Sequence, residues 1–207
     1  MTKIAIPILT ALALSLTSGT AMAKGCKNLT GKELKACEKE QKALTKGVAL
    51  KPSQIDPAWS DMDGEQKNPF NKPKYSVRYE PTKIKKVDNY LVKAAAIKGK
   101  MRLSTYVVDQ AGQGNVELVS SAGPKLVASM KTLPADAQSL ISEGKKLVSD
   151  LPKIVTGPDA MKIPKITTGL NGAIANLVSA TKEAPATTKA LTAVVADPGS
   201  AAKGAVK

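Results

Sequence analysis

The sequence predicts a mainly α protein. Its expected form is a Pro-punctuated antiparallel helical bundle, coiled-coil-like in its hairpin, with a short disulfide-stapled N-terminal helix and an irregular Pro-rich strap. Three observations carry this prediction. From residue 83 onward apolar residues recur at alternating steps of three and four, the period of one helix face. Prolines 124, 134, 152, 164 and 185 each fall one place after a position of that stripe, where a proline can open or bend a helix without interrupting it. Both cysteines, and four of the six aromatic residues, lie before residue 80, outside the periodic region.

Residues 1–23 read as a cleaved secretory signal. Lys3 gives the basic start, Ile4 to Leu16 is an apolar run of 13 residues, and Ala21-Met22-Ala23 supplies the small side chains of a signal-peptidase site. The run is too short to cross a bilayer as a helix, and no second apolar run of about 18 residues follows, so no transmembrane span is expected in the mature chain. Cys26 follows closely, but Lys24 two places upstream does not suit a lipidation site. The short leader has a bacterial character, which places the mature protein in the periplasm or outside the cell.

Residues 24–50 are expected to form a short helix, opened by Thr30 and Glu33 as a capping box. Cys26 and Cys37 are the only cysteines, and an even, closely spaced pair in an oxidising compartment reads as a disulfide. Such a bridge would tie the incoming loop to the helix, worth roughly 3 kcal/mol of loop-closure entropy. The spacing is not the C-x-x-C of a redox centre.

Residues 51–82 carry Pro52, Pro57, Pro69, Pro73 and Pro81 together with Trp59, Phe70, Tyr75 and Tyr79. Large rings among prolines indicate a strap laid over a helical body rather than a free linker. Tyr75, Val77 and Tyr79 alternate with Ser76 and Arg78, which permits one short extended segment. Asp61, Asp63 and Glu65 beside Gly64 resemble a calcium loop only superficially. The glycine comes too early and the twelfth position is Lys72, so a solvated turn is expected there and no metal.

Residues 83–198 form the expected bundle. Its first stripe is Val87, Tyr90, Ala94, Ile97, Met101, Ser104 and Val108. Asp109 to Asn115 reads as a turn. A second stripe then runs Val116, Val119, Gly123, Leu126, Met130, Leu133, Ala137, Leu140, Gly144, Leu147, Leu151, Ile154, Pro158 and Met161. Eleven of those 14 positions are apolar, where a 43% background would give about six. Near Lys162 the phase slips by about two residues, and a third stripe begins at Ile163 and continues through Ile166, Leu170, Ala173, Leu177, Ala180, Ala184, Thr187, Leu191 and Val194. Breaks or kinks are expected at the prolines, because an interior proline costs a helix about 3 kcal/mol. A weak internal repeat accompanies them: Leu126 to Leu140 matches Leu177 to Leu191, each copy with a Lys followed three places later by Pro. Residues 199–207 are expected to be a flexible basic tail.

The chemistry available is limited. With no His in 207 residues, Ser-His-Asp and Cys-His nucleophiles, His-based metal sites and imidazole switches are excluded. S-x-x-K occurs at Ser142–Lys145, Ser179–Lys182 and Ser200–Lys203, about as often as chance predicts in so Lys-rich a chain, and its companion motifs are missing. No cofactor and no catalytic residue is expected, and the chain is read as not an enzyme.

The cations are 31 against 17 acids, and all but Arg78 and Arg102 are lysines. Lys provides diffuse, hydrated charge, whereas base and phosphate recognition leans on the Arg fork, so nucleic acid is not an expected partner. Lys86, Lys93 and Lys100 repeat every seven residues and share a helix face beside the first stripe, a possible contact for anionic envelope surfaces. The functional expectation is a non-enzymatic, exported scaffold or protein-binding module of the cell envelope. The alternative is an amphipathic lipid-surface or holdase-like client-binding protein. Stripes rich in Ala and Gly, with no Trp or Phe after residue 70, favour helix packed on helix.

Overall fold

The structure, a computed structural model, describes residues 30–32, 34–35, 46–62 and 75–198. The leader, the Cys26–Cys37 pair, Glu33 of the capping box and the tail 199–207 lie outside the described residues. The chain divides into two compact units, residues 1–44 and 45–207. In the first, residues 31–32 and 34–35 are helical, and the Leu34 amide donates to the Thr30 carbonyl at 3.5 Å. The second unit holds three long helices packed against one another, and the protein is mainly helical.

That unit opens with a two-residue strand, β1 (Val48–Ala49), where the sequence suggested the end of a helix. It pairs antiparallel with β2 (Arg78–Tyr79), Val48 opposite Tyr79 and Ala49 opposite Arg78. The strand begins there because Gly47 turns the chain at φ +83 and runs hard against the Tyr79 carbonyl, a conformation and an approach open only to glycine. The Arg78 guanidinium fastens the turn by donating to the Gly47 carbonyl at 2.7 Å. Between the strands, α1 (Pro52–Ile55) starts on a proline, which has no amide to leave unpaired, and the Gln54 side chain accepts from the Lys51 amide at 2.9 Å. A 3-10 turn, Pro57–Met62, follows.

Helix α2 (Lys85–Gly112) is tied at its start by Asp88, whose carboxylate accepts from the Thr82 amide at 2.6 Å, the Thr82 hydroxyl at 2.8 Å and the Lys83 amide at 3.1 Å. The expected stripe is buried from Val87 to Ser104, with Val108 half-buried. So are Leu91, Leu103, Tyr106 and Val107 on the other sides, because the strap covers the outer face with Leu50, Ile55, Trp59, Tyr75 and Val77. Gly99 is where Ile55 enters. A Cβ there would stand 2.8 Å from Ile55 Cδ1. The turn expected at 109–115 is shorter than the sequence implied: α2 continues to Gly112 despite the glycine, leaving Gln113 to Asn115 as the connection. Asn115 caps the next helix by accepting from the Leu118 amide at 3.2 Å.

Helix α3 (Val116–Ile154) and helix α4 (Ile163–Ala196) are 39 and 34 residues long, about 58 and 51 Å at the usual rise. The buried residues of α3 are Val119, Gly123, Leu126, Met130, Leu133, Ala137, Ile141, Gly144, Leu147 and Leu151. One step of the expected stripe moves: Ile141 is buried and Leu140 half-buried. A strict 3.5-residue stripe drifts around a straight helix, and the four-residue step from Ala137 to Ile141 restores the phase. In α4, Ile166, Leu170, Leu177, Ala180, Ala184 and Leu191 are buried.

The prolines do not break these helices as expected. Helix α3 runs through Pro124, Pro134 and Pro152, and α4 through Pro185. Pro124, Pro152 and Pro185 are exposed and Pro134 is half-buried. The continuous buried stripe outweighs the local cost, since tertiary packing rather than propensity supplies most helical stability. The real break is at Val155–Lys162, a bend and a 3-10 turn with Gly157 at φ +64, and Pro164 sits in the first turn of α4. The phase slip near Lys162 is therefore the end of one helix and the start of the next. Pro158 and Met161, read as stripe positions, are exposed in this connection.

One register sets α3 against α4: Val195 fills the space beside Gly123, and Ile174 the space beside Gly144. Continuing it places Leu133 beside Pro185 and Pro134 beside Ala184. The two repeat copies thus run antiparallel, and their prolines, Pro134 and Pro185, line one groove.

Candidate binding surfaces

The described residues offer three places where side chains of functional character gather: the lysine face of α2, the seam between strap and α2, and a groove between α3 and α4.

The three lysines singled out on α2 do not form one open strip. Lys86 is exposed near the start of the helix. Lys93 reaches Glu143 of α3 at 3.6 Å, an exposed pair. Lys100 lies under the strap, 3.8 Å from Asp56, with both side chains only 17% exposed. The heptad spacing was visible in the sequence, but the partner of Lys100 comes from the strap, 44 residues earlier, and no local pattern announces it.

The seam between strap and α2 is polar at one end. Arg102 donates to the Ser76 carbonyl. The Tyr75 hydroxyl donates to Asp109 at 2.9 Å, and its ring meets Tyr106 edge-on at 4.7 Å. Burial lowers the pKa of Arg102 and, aided by the nearby Arg102 charge, that of Lys98. Burial also raises the Tyr106 phenol. Arg102 and Tyr75 fix the strap to the helix through these contacts.

The groove between α3 and α4 has a volume of about 600 Å³. Met130, Pro134, Pro185 and Ala193 line it, with Thr188 and Thr192 along one wall and Lys131 and Lys189 at its rim. It arises where the two prolines of the repeat face outward on neighbouring helices. It is shallow and offers small apolar atoms with two flanking cations, so it fits an apolar strip better than a reacting substrate.

The serines of the S-x-x-K matches are engaged in their own helices. Ser142 Oγ donates to the Gln138 carbonyl at 3.2 Å and Ser179 Oγ to Glu183 at 2.9 Å, while Ser200–Lys203 lies outside the described residues. Among the described residues no group of three or more His, Cys, Asp or Glu is placed to hold a metal ion. No helix there is long and apolar enough to cross a membrane.

Comparison with known proteins gives no assignment: no family model, no characterised protein and no solved structure matches this chain.

Proposed function

We propose that this protein is a non-enzymatic, exported scaffold or protein-binding module of the cell envelope, working as a closed helical bundle. The observation that supports it most is the fate of the apolar stripes. Leu126, Leu133, Leu151, Leu170, Leu177 and Leu191 are all at most 1% exposed, so the stripes close on one another rather than facing outward. An exchangeable lipid-binding helix keeps a broad apolar face for the bilayer. Here that face is already used, and what remains for partners is a long, lysine-rich polar surface.

The finer features belong to the same reading. The three-and-four spacing along α3 and α4 supports coiled-coil-like packing of that hairpin. The leader at 1–23 supports export to the periplasm or beyond, and export supports a Cys26–Cys37 disulfide in the N-terminal unit. Absence of His from the sequence supports a role without catalysis.

Denaturation of the mature chain, with and without vesicles, tests the closed-bundle reading. A single cooperative transition, no binding of an apolar-surface dye before it, and an unchanged midpoint with neutral vesicles are expected. Dye binding by the native protein, or a helical content that rises on adding lipid, would favour the client- or lipid-binding alternative.

A further inference from the structure

The helices α2, α3 and α4 bring one end of the bundle together from three distant stretches of sequence. Tyr90 against Gly144, and Gly144 against Ile174, place the start of α2, the end of α3 and the start of α4 at the same end. Residues 83–90 and 145–165 there contain eight lysines, at 83, 85, 86, 145, 146, 153, 162 and 165, against three aspartates. All eight lysines are exposed. The three aspartates leave five lysine charges in excess, and one of the aspartates, Asp159, pairs with Lys162 at 2.5 Å. Among the described residues the opposite end is balanced, the basic tail 199–207 continuing beyond it. Residues 106–131 and 187–198 carry Lys125, Lys131 and Lys189 against Asp109, Glu117 and Asp197.

The charged end also carries the most exposed large apolar side chain among the described residues. Met161, in the 3-10 turn between α3 and α4, is 90% exposed, while Val48, the next, is 48%. Its neighbours Pro158 and Ala160 are exposed as well, and no residue of that turn is buried. An exposed unbranched thioether at the lysine-rich end of the bundle combines the two elements of peripheral membrane attachment: apolar entry at the interface and attraction to anionic headgroups. A solubilising surface accounts for the lysines but not for a methionine fully presented at the same end of the bundle.

We propose that this end of the bundle docks on bilayers of anionic phospholipid, Met161 entering the interface and the surrounding lysines lying against the headgroup phosphates. The inference goes beyond the scaffold reading, since a bundle can stand on a membrane by its tip with its core closed. It also relocates the anionic contact suggested by the α2 lysines: Lys86 belongs to this end, whereas Lys93 lies further along α2 beside Glu143 and Lys100 is largely covered beside Asp56.

Co-sedimentation of the mature chain with vesicles of equal phosphatidylglycerol and phosphatidylcholine tests the proposal, with phosphatidylcholine alone as reference. Binding to the anionic vesicles at low salt is expected, lost at high salt because exposed charges are screened beyond roughly 10 Å even at 0.1 M. The triple variant Lys153→Glu, Lys162→Glu, Lys165→Glu should weaken it at least about tenfold. Met161→Asp should weaken it several-fold, with unchanged helicity and denaturation midpoint in both variants. Lys125→Glu, Lys131→Glu, Lys189→Glu at the other end should leave it nearly unchanged. No vesicle binding overturns the proposal, as does equal weakening by the two triple variants. Binding that is indifferent to Met161→Asp and equally strong to soluble polyphosphate would assign the end to a polyanion instead, and would also overturn it.

Discussion

The hydroxyl of Tyr90 occupies the space in which any other residue at position 144 would carry its Cβ, so Gly144 is the socket into which the α2 tyrosine fits. The ring of Tyr90 is fully buried, and its oxygen finds no hydrogen-bond partner among the described residues. Ile174 of α4 closes the other side of the same space. One glycine thus lets all three helices approach.

Gly144→Ala is therefore expected to destabilise the bundle. The new Cβ would lie 2.6 Å from Tyr90 Cζ and 2.9 Å from Ile174 Cγ1. Overpacking of this kind costs about 1–3 kcal/mol, against a gain of about 1 kcal/mol in helix propensity. Gly169 and Gly172 on α4 have nothing within 4 Å of the Cβ position, so Ala there should stabilise by about 0.5–1 kcal/mol. Urea midpoints of the three variants check the contrast.

Tyr90→Phe removes a buried oxygen that makes no hydrogen bond and should raise stability at neutral pH by about 1 kcal/mol, the lower part of the usual penalty for an unpaired buried polar group. The pH dependence follows from the same burial. Desolvation, with the Glu143 charge adding to it, pushes the Tyr90 phenol up to about 12, from 10.0. A raised pKa means the folded state favours the neutral phenol. That stabilisation is complete below pH 10 and is lost as pH rises toward 12. Thermal unfolding between pH 9 and 12 should therefore show a steeper loss for the native chain than for Tyr90→Phe.

Much of this fold was legible in the sequence, for a physical reason: α3 and α4 each bury one face, and one-sided burial leaves a periodic stripe. Leu126, Leu133, Leu147, Leu170 and Leu177 fall on the stripe and in the core. Helix α2 shows its stripe less distinctly because the strap buries a second side, with Leu91 and Leu103 inside as well. The prolines marked one real boundary, at Pro164, but at 124, 134, 152 and 185 the helices run on, because a local penalty is outweighed by the length of the seam. Met161 misled in the opposite way, sitting in phase with the stripe but beyond the helix end. The Lys100–Asp56 pair and the gathering of lysines at one bundle end depend on which elements meet in space, and spacing along the chain does not encode that.

Core truncations should separate true seam positions from their neighbours. Leu126→Ala and Leu170→Ala, both fully buried, should each cost about 2–5 kcal/mol. Ile141→Ala should cost more than Leu140→Ala, because the isoleucine faces the core and the leucine only borders it. Equal midpoints for that last pair would mean that the phase step at Ala137 is misplaced.

Export and the staple are read by mass. Protein recovered from a periplasmic extract should begin at Lys24 and lack two thiol hydrogens, consistent with one Cys26–Cys37 bridge. Two alkylatable cysteines, a retained leader or a lipid on Cys26 would each contradict the reading of the N-terminal segment.

The closed bundle is tested most directly by amide hydrogen exchange of the mature chain, alone and with anionic vesicles. Seam amides of α2, α3 and α4 should exchange only through global unfolding, sharing one free energy near the total stability of the protein. Their protection should persist when vesicles are added, with any change confined to residues near Met161 and the lysines around it. Selective loss of protection along one whole helix in the presence of vesicles would show that the stripes open onto lipid, and would contradict the account.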